Sequence, residues 1–208
     1  MTLDDAIEIC PVVAILRGVR PGEVLEVTQA LHAEGLRAVE VPLNSPEPFD
    51  SIRRLSQAFG ESMACGAGTV LSPVMVERAA EAGARIIISP NTDPLVIQRT
   101  VALGLDPAPG FASPSEAFLA LQSGARHLKL FPAATYGPGH VRQLKAVLPE
   151  VAVVWAVGGV GAARLTEFWQ AGVRAFGIGS ELFRPGQSIA ETHEKARELV
   201  AAARHLRG

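Results

Sequence analysis

The amino-acid sequence predicts an α/β protein folded as a single (β/α)8 barrel, the TIM-barrel architecture, with a short N-terminal helix. Three observations predict it. Short β-rich runs recur eight times along the 208 residues, helix-length segments separate them, and a Gly-x-Arg repeat precedes every second run. Chains of this length commonly form one barrel, so residues 1–208 read as one domain.

The first strand runs from Val12 to Arg17 and the second from Ala38 to Leu43; between them Val24, Val27 and Leu31 form one apolar helical stripe. Met63 to Gly66 is the third strand and Arg85 to Ser89 the fourth. The helix between them opens at Ser72-Pro73, an N-cap oxygen followed by a proline at the one helical position where a missing N–H does no harm. Asp93-Pro94 repeats that signal ahead of a weak fifth strand, Leu105 to Pro109. Ser113-Pro114 does so again, and Ser113 with Glu116 completes a capping box. His127 to Pro132, Val151 to Val157 and Ala175 to Ser180 are the last three strands. Gly60, Gly83, Gly104, Gly124 and Gly172 stand where a left-handed C-terminal cap belongs.

The repeat itself is Gly35-Leu36-Arg37, Gly83-Ala84-Arg85, Gly124-Ala125-Arg126 and Gly172-Val173-Arg174. Alternating β and α units with apolar strands imply a parallel sheet covered by helices, and eight units favour closure. An open doubly wound sheet is the alternative, but no Gly-x-Gly-x-x-Gly follows the first strand. The four arginines start their strands, at the barrel end where residues serve stability, so they read as structural.

Aligned on that arginine, the even strands place Glu40, Ile88, Lys129 and Gly177 at one level and Pro42, Pro90, Phe131 and Gly179 two residues on. Side chains alternate along a strand, so Glu40 and Lys129 should both point into the barrel, near its C-terminal end where barrel enzymes keep their chemistry. The bland reading is a buried ion pair. Of the three lysines, Lys145 and Lys195 fall in helical, exposed-looking segments, and only Lys129 sits in a strand. Burial and the cation of Arg17 should lower its pKa, leaving a neutral amine able to attack a ketone.

Arg17, at the end of the first strand, can grip a carboxylate in bidentate fashion, with the Thr69 hydroxyl as a further donor; the plain alternative pairs Arg17 with Glu40 alone. The last two strands end in Gly158-Gly159 and Gly179-Ser180, whose backbone N–H groups can bind phosphate without net positive charge. The histidines show no i, i+4 pairing with acids or cysteines, so no metal site is expected, and a lysine that forms a Schiff base calls for no cofactor. Trp155 reads as barrel lining, and the segment from Glu191 to Arg204 as a solvated helix face.

Composition sets outer limits. Nineteen basic against 21 acidic residues give a formal charge of −2, which excludes a field that would hold nucleic acid or an anionic membrane. Cys10 and Cys65 have no ligand spacing and read as buried packing residues in a reducing compartment. With no leader pattern and no apolar run near the roughly 18 residues that span a bilayer, a soluble cytoplasmic protein is expected.

At these residues the sequence resembles the 2-keto-3-deoxy-6-phosphogluconate (KDPG) aldolase family and its phosphogalactonate relatives. The resemblance rests on Ala14-Ile15-Leu16-Arg17, Val39-Glu40-Val41-Pro42-Leu43, Gly66-Ala67-Gly68-Thr69-Val70, Ile88-Ser89-Pro90, Leu128-Lys129-Leu130-Phe131-Pro132, Val157-Gly158-Gly159 and Gly177-Ile178-Gly179-Ser180. It implies a homotrimer that cleaves a phosphorylated keto-deoxy sugar acid to pyruvate and glyceraldehyde 3-phosphate without a cofactor. It further implies Lys129 as the imine-forming residue, Glu40 as acid and base, and Arg17 and Thr69 as carboxylate contacts. Pro90 and Phe131 become pocket walls, and Gly158, Gly159, Gly179 and Ser180 the phosphate site. Asn44 stands where phosphogluconate-type members carry arginine, and the run from Val41 to Pro46 looks more like the phosphogalactonate branch. Two other readings are an aldolase for 4-hydroxy-2-oxoglutarate using the same site, and a phosphosugar-binding barrel without turnover.

Overall fold

The computed structural model describes residues 1–207, among which nine parallel strands form one sheet. They are β1 (Val12–Ile15), β2 (Ala38–Pro42), β3 (Ala64–Gly68), β4 (Ile86–Ile88), β5 (Asp106–Ala108), β6 (Gly110–Phe111), β7 (His127–Leu130), β8 (Val153–Val157) and β9 (Ala175–Ile178). The sheet order β5-β4-β3-β2-β1-β9-β8-β7-β6 has β5 and β6 at its two ends. Only Pro109 separates those two in sequence, so the sheet curls into a barrel.

Sequence predicts one weak fifth strand where the fold has two short pieces. Proline supplies no N–H to a ladder, and both Pro107 and Pro109 lie in this stretch. β5 therefore pairs only with β4, and β6 only with β7, while the Lys129 N–H donates to the Pro109 carbonyl at 2.9 Å. Gly110 allows the crossing, because a Cβ there would lie 2.1 Å from the Pro90 oxygen.

The helices α1 (Leu3–Ile9), α2 (Val24–Glu34), α3 (Pro48–Phe59), α4 (Pro73–Glu81), α5 (Pro94–Ala102), α6 (Pro114–Gln122), α7 (Ala133–Lys145), α8 (Leu165–Gln170) and α9 (Ile189–Arg204) cover the sheet. Ser72, Asp93 and Ser113 all cap from their side chains, and Ser113 with Glu116 forms the expected box. Gly83, Gly104, Gly124 and Gly172 have positive φ. Gly60 does not: at φ −59° it stays right-handed, and its N–H continues the helical pattern to the Ser56 carbonyl. No helix among the described residues is long and apolar enough to cross a membrane.

Two cores result. Between strands and helices lie the outward strand residues, such as Val39, Val41, Leu128 and Val154, against helix residues such as Val27, Leu31, Ile52 and Phe168. Cys10 and Cys65 are buried here and form no disulfide. Inside the barrel Trp155, fully buried, is surrounded by small residues, Ala38, Ala64, Ala108 and Ala175, which leave room for an indole. Its Nε1–H donates to His127 Nδ1 at 3.2 Å, and His127 Nε2 faces Asp4 Oδ1 at 3.2 Å. Asp4 belongs to α1, whose Leu3, Ala6 and Ile7 close the N-terminal end of the barrel.

The repeat arginines serve that structural end. Arg37 donates to the His32 and Leu36 carbonyls, Arg174 to those of Trp169 and Val173, and Arg126 pairs with Asp4.

Candidate active site

Register fixes which side chains share the barrel interior. Ile15 aligns with Glu40 and Glu40 with Gly66, while Lys129 aligns with Gly110 and Trp155. Glu40 and Lys129 are 1% and 6% exposed, and they face each other across an interior otherwise built of apolar groups. They form no direct hydrogen bond, and Glu40 Oε2 has no hydrogen-bond partner. A settled buried ion pair would satisfy both groups, and this oxygen is left without a partner.

Glu40 fits because β3 carries no side chain opposite it. A Cβ at Gly68 would lie 1.4 Å from Glu40 Oε2. Sequence alone does not reveal this role of Gly68, since a glycine in a strand signals a close approach without naming what approaches.

Burial pushes the Glu40 carboxyl up to about 7, against the opposing pull of the Lys129 and Arg17 cations. Burial also lowers the Lys129 ammonium; the Glu40 carboxylate resists this and the Arg17 guanidinium adds to it. The interior thus holds a readily deprotonated amine beside a carboxyl that exchanges its proton near neutrality. That combination suits covalent catalysis on a ketone.

Above this pair opens a cavity of about 320 Å³ at the C-terminal ends of the strands. Arg17, Thr69, Pro90, Lys129, Phe131, Gly158, Gly159, Gly179 and Ser180 all line it. The Lys129 Nζ lies 5.2 Å from the centre of the Phe131 ring, which guides it toward the opening. Gly158, at φ +93°, lets that ring close to 3.1 Å from where its own Cβ would stand. Thr69 holds φ +56°, an unfavourable conformation for a β-branched residue of the kind that collects at functional sites.

Two predicted site residues stand outside the lining. Glu40 lies buried beneath it, and Asn44 is exposed beyond the rim. Arg17 does not pair with Glu40 by hydrogen bonding; it donates from Nη1 to Asn44 Oδ1 at 2.6 Å, so Asn44 orients the guanidinium. The remaining lysines sit on helices and are half-buried rather than exposed: Lys145 donates to the Ala152 carbonyl, and Lys195 binds Gln187 and Glu191. Sequence reasoning also missed Glu181, which lines the cavity directly after Ser180. Among the described residues no group of three or more His, Cys, Asp or Glu has a metal-holding arrangement.

Comparison with known proteins identifies the family. Residues 3–197 match the family described as KDPG and KHG aldolase. The chain belongs to that family. It is therefore an aldolase, a carbon–carbon lyase, on a TIM-type barrel. It is 44% identical over 194 residues to the 2-dehydro-3-deoxy-6-phosphogalactonate aldolase of Escherichia coli (strain K12), covering 93% of this chain and 95% of that one. A solved structure described as native KDPGal superposes with a TM-score of 0.93 at 43% identity, covering 94% and 95%. KDPG aldolase from Legionella pneumophila, with pyruvate captured as a covalent carbinolamine, superposes at TM-score 0.82 and 26% identity, covering 97% and 96%.

Proposed function

We propose that this aldolase works through a Schiff base on Lys129 and cleaves 2-dehydro-3-deoxy-6-phosphogalactonate, or its gluconate epimer, to pyruvate and D-glyceraldehyde 3-phosphate. One observation carries the reading: the single barrel lysine and an unpaired glutamate are buried together under a cavity that ends in two glycine loops. The captured carbinolamine of the Legionella relative supports covalent chemistry. Higher identity to the E. coli phosphogalactonate enzyme, with Asn44 in place of arginine, supports the galactonate branch.

Neutral Lys129 Nζ attacks the C2 carbonyl, and Glu40 moves protons as the carbinolamine loses water to give the imine. Glu40 then takes the C4 hydroxyl proton, the C3–C4 bond breaks, and its electron pair enters the imine to form an enamine. Glyceraldehyde 3-phosphate leaves. Protonation at C3 and hydrolysis release pyruvate and restore the amine. A carboxyl titrating at about 7 both gives and takes protons at neutral pH.

Arg17, held by Asn44, and Thr69 receive the substrate carboxylate; Pro90 and Phe131 hold the chain of carbons; Gly158, Gly159, Gly179 and Ser180 bind the phosphate. The barrel acts as one domain in the cytoplasm and assembles as a homotrimer, a reading supported by Val74 and Leu95, 62% and 65% exposed on adjacent helices. Borohydride reduction with pyruvate should add one adduct, on Lys129. Lys129→Ala should lose the adduct and at least about 1,000-fold in pyruvate release; full activity in that variant would end the proposal.

A further inference from the structure

The far end of the cavity carries a charge of the wrong sign for its ligand. Glu181 lines the cavity beside Gly158, Gly159, Gly179 and Ser180. The turn after β9, in which the Leu182 and Phe183 N–H groups both return to the Gly179 carbonyl, throws its side chain across to the loop after β8. There its Cγ and Oε2 come within 3.5 and 3.7 Å of where a Cβ of Gly161 would stand. No hydrogen bond or ion pair occupies this carboxylate among the described residues, and Arg184, one turn on, donates instead to the Ser180 carbonyl. The two basic residues of the cavity, Arg17 and Lys129, belong to the strand ends that receive the keto acid. At this end, then, the groups that attract phosphate are backbone N–H groups and the Ser180 hydroxyl, and the Glu181 carboxylate stands beside them.

Resting on the phosphate assignment above, we propose that Glu181 is a specificity-determining residue that weakens binding of a fully ionised phosphate and so narrows the preference for phosphorylated over unphosphorylated keto-deoxy acids. Backbone donors bind a phosphate dianion and a sugar hydroxyl through the same geometry. Discrimination between them depends on charge, and Glu181 opposes the dianion while leaving a neutral hydroxyl untouched or accepting its proton in a hydrogen bond. The position is open to water, so the repulsion is moderate and falls with added salt.

The test compares wild type, Glu181→Gln and Glu181→Lys on a phosphorylated keto-deoxy sugar acid and on its dephosphorylated counterpart, with inorganic phosphate as a competing ligand. Removing the charge should lower KM for the phosphorylated substrate by roughly threefold to tenfold at low ionic strength, and charge reversal should lower it further. Neither change should move kcat, nor improve binding of the dephosphorylated substrate, and the gain should shrink in 0.5 M salt, where the screening length is about 4 Å. Equal shifts for both substrates, or a gain indifferent to salt, would mark Glu181 as a merely structural rim residue and overturn the proposal. Phosphate that competes equally well in wild type and Glu181→Gln would also overturn it while leaving the phosphate loops standing. Phosphate that competes in neither protein would remove the phosphate site itself.

Discussion

Replacing Gly68 by alanine probes the site through a single methyl group. The added Cβ would stand 1.4 Å from Glu40 Oε2, 2.3 Å from its Cδ and 2.7 Å from Oε1, where real Cβ contacts are never under 3.0 Å. Something must move by about 1.6 Å. The strand cannot easily give way, because Gly68 sits in register with Pro42 on β2 and its carbonyl accepts from the Leu43 N–H at 2.8 Å. Glu40 therefore swings off its place. A displacement of this size at a reacting group costs about 100-fold in rate, and forcing a methyl into a packed interior costs about 1–3 kcal/mol of stability. Pyruvate release followed by a coupled dehydrogenase, with urea unfolding alongside, measures both. Combining Gly68→Ala with Glu40→Gln separates the routes: if the methyl acts through Glu40, the double variant is scarcely slower than Glu40→Gln alone. A Gly68→Ala enzyme with kcat within threefold of wild type would refute the claim that β3 is bare in order to seat this carboxylate.

Other expectations follow from the same structure. Glu40 titrates at about 7 when folded and near 4.5 when free, so between those values the folded chain binds more protons and wild type loses stability as pH rises. Glu40→Gln should remove that decline, visible as a gain over wild type in urea midpoint at pH 8 but little at pH 4.5. His127 works in the opposite sense: burial lowers its pKa below 6.5, so protons favour the unfolded chain and wild type should lose stability as pH falls below 6.5. His127→Gln should flatten that acid limb in the same titration; an unchanged acid limb would count against a buried, neutral His127 between Trp155 and Asp4. Ser113→Ala removes the oxygen that accepts from the Glu116 N–H and should cost about 1 kcal/mol in denaturant unfolding without changing kcat.

Much of the fold was legible because its signals are local. Ser72, Asp93 and Ser113 stand immediately before prolines, and a cap depends on residues within one turn. The Gly-x-Arg repeat set the register of the even strands, which aligned Glu40 with Lys129 before any pairing was known. Gly60 was misread for the same reason in reverse: a glycine after a helix signals freedom, and here the chain continues right-handed into Glu61 and Ser62 before β3. The split of the fifth strand was half visible in Pro107 and Pro109, but the close passage of Gly110 over Pro90 that it requires joins residues far apart in sequence.

By itself, then, the sequence determined the alternation of strand and helix, the caps, the repeat and the presence of one lysine and one glutamate at the same level of the barrel. Each follows from spacing or from groups a few residues apart. Only the tertiary structure decided that Arg17 rests on Asn44, that Gly68 makes room for Glu40, and that Glu181 reaches the glycine loops. Those are contacts across strands, fixed by how the sheet closes, and they join residues whose meeting no spacing or local pattern records.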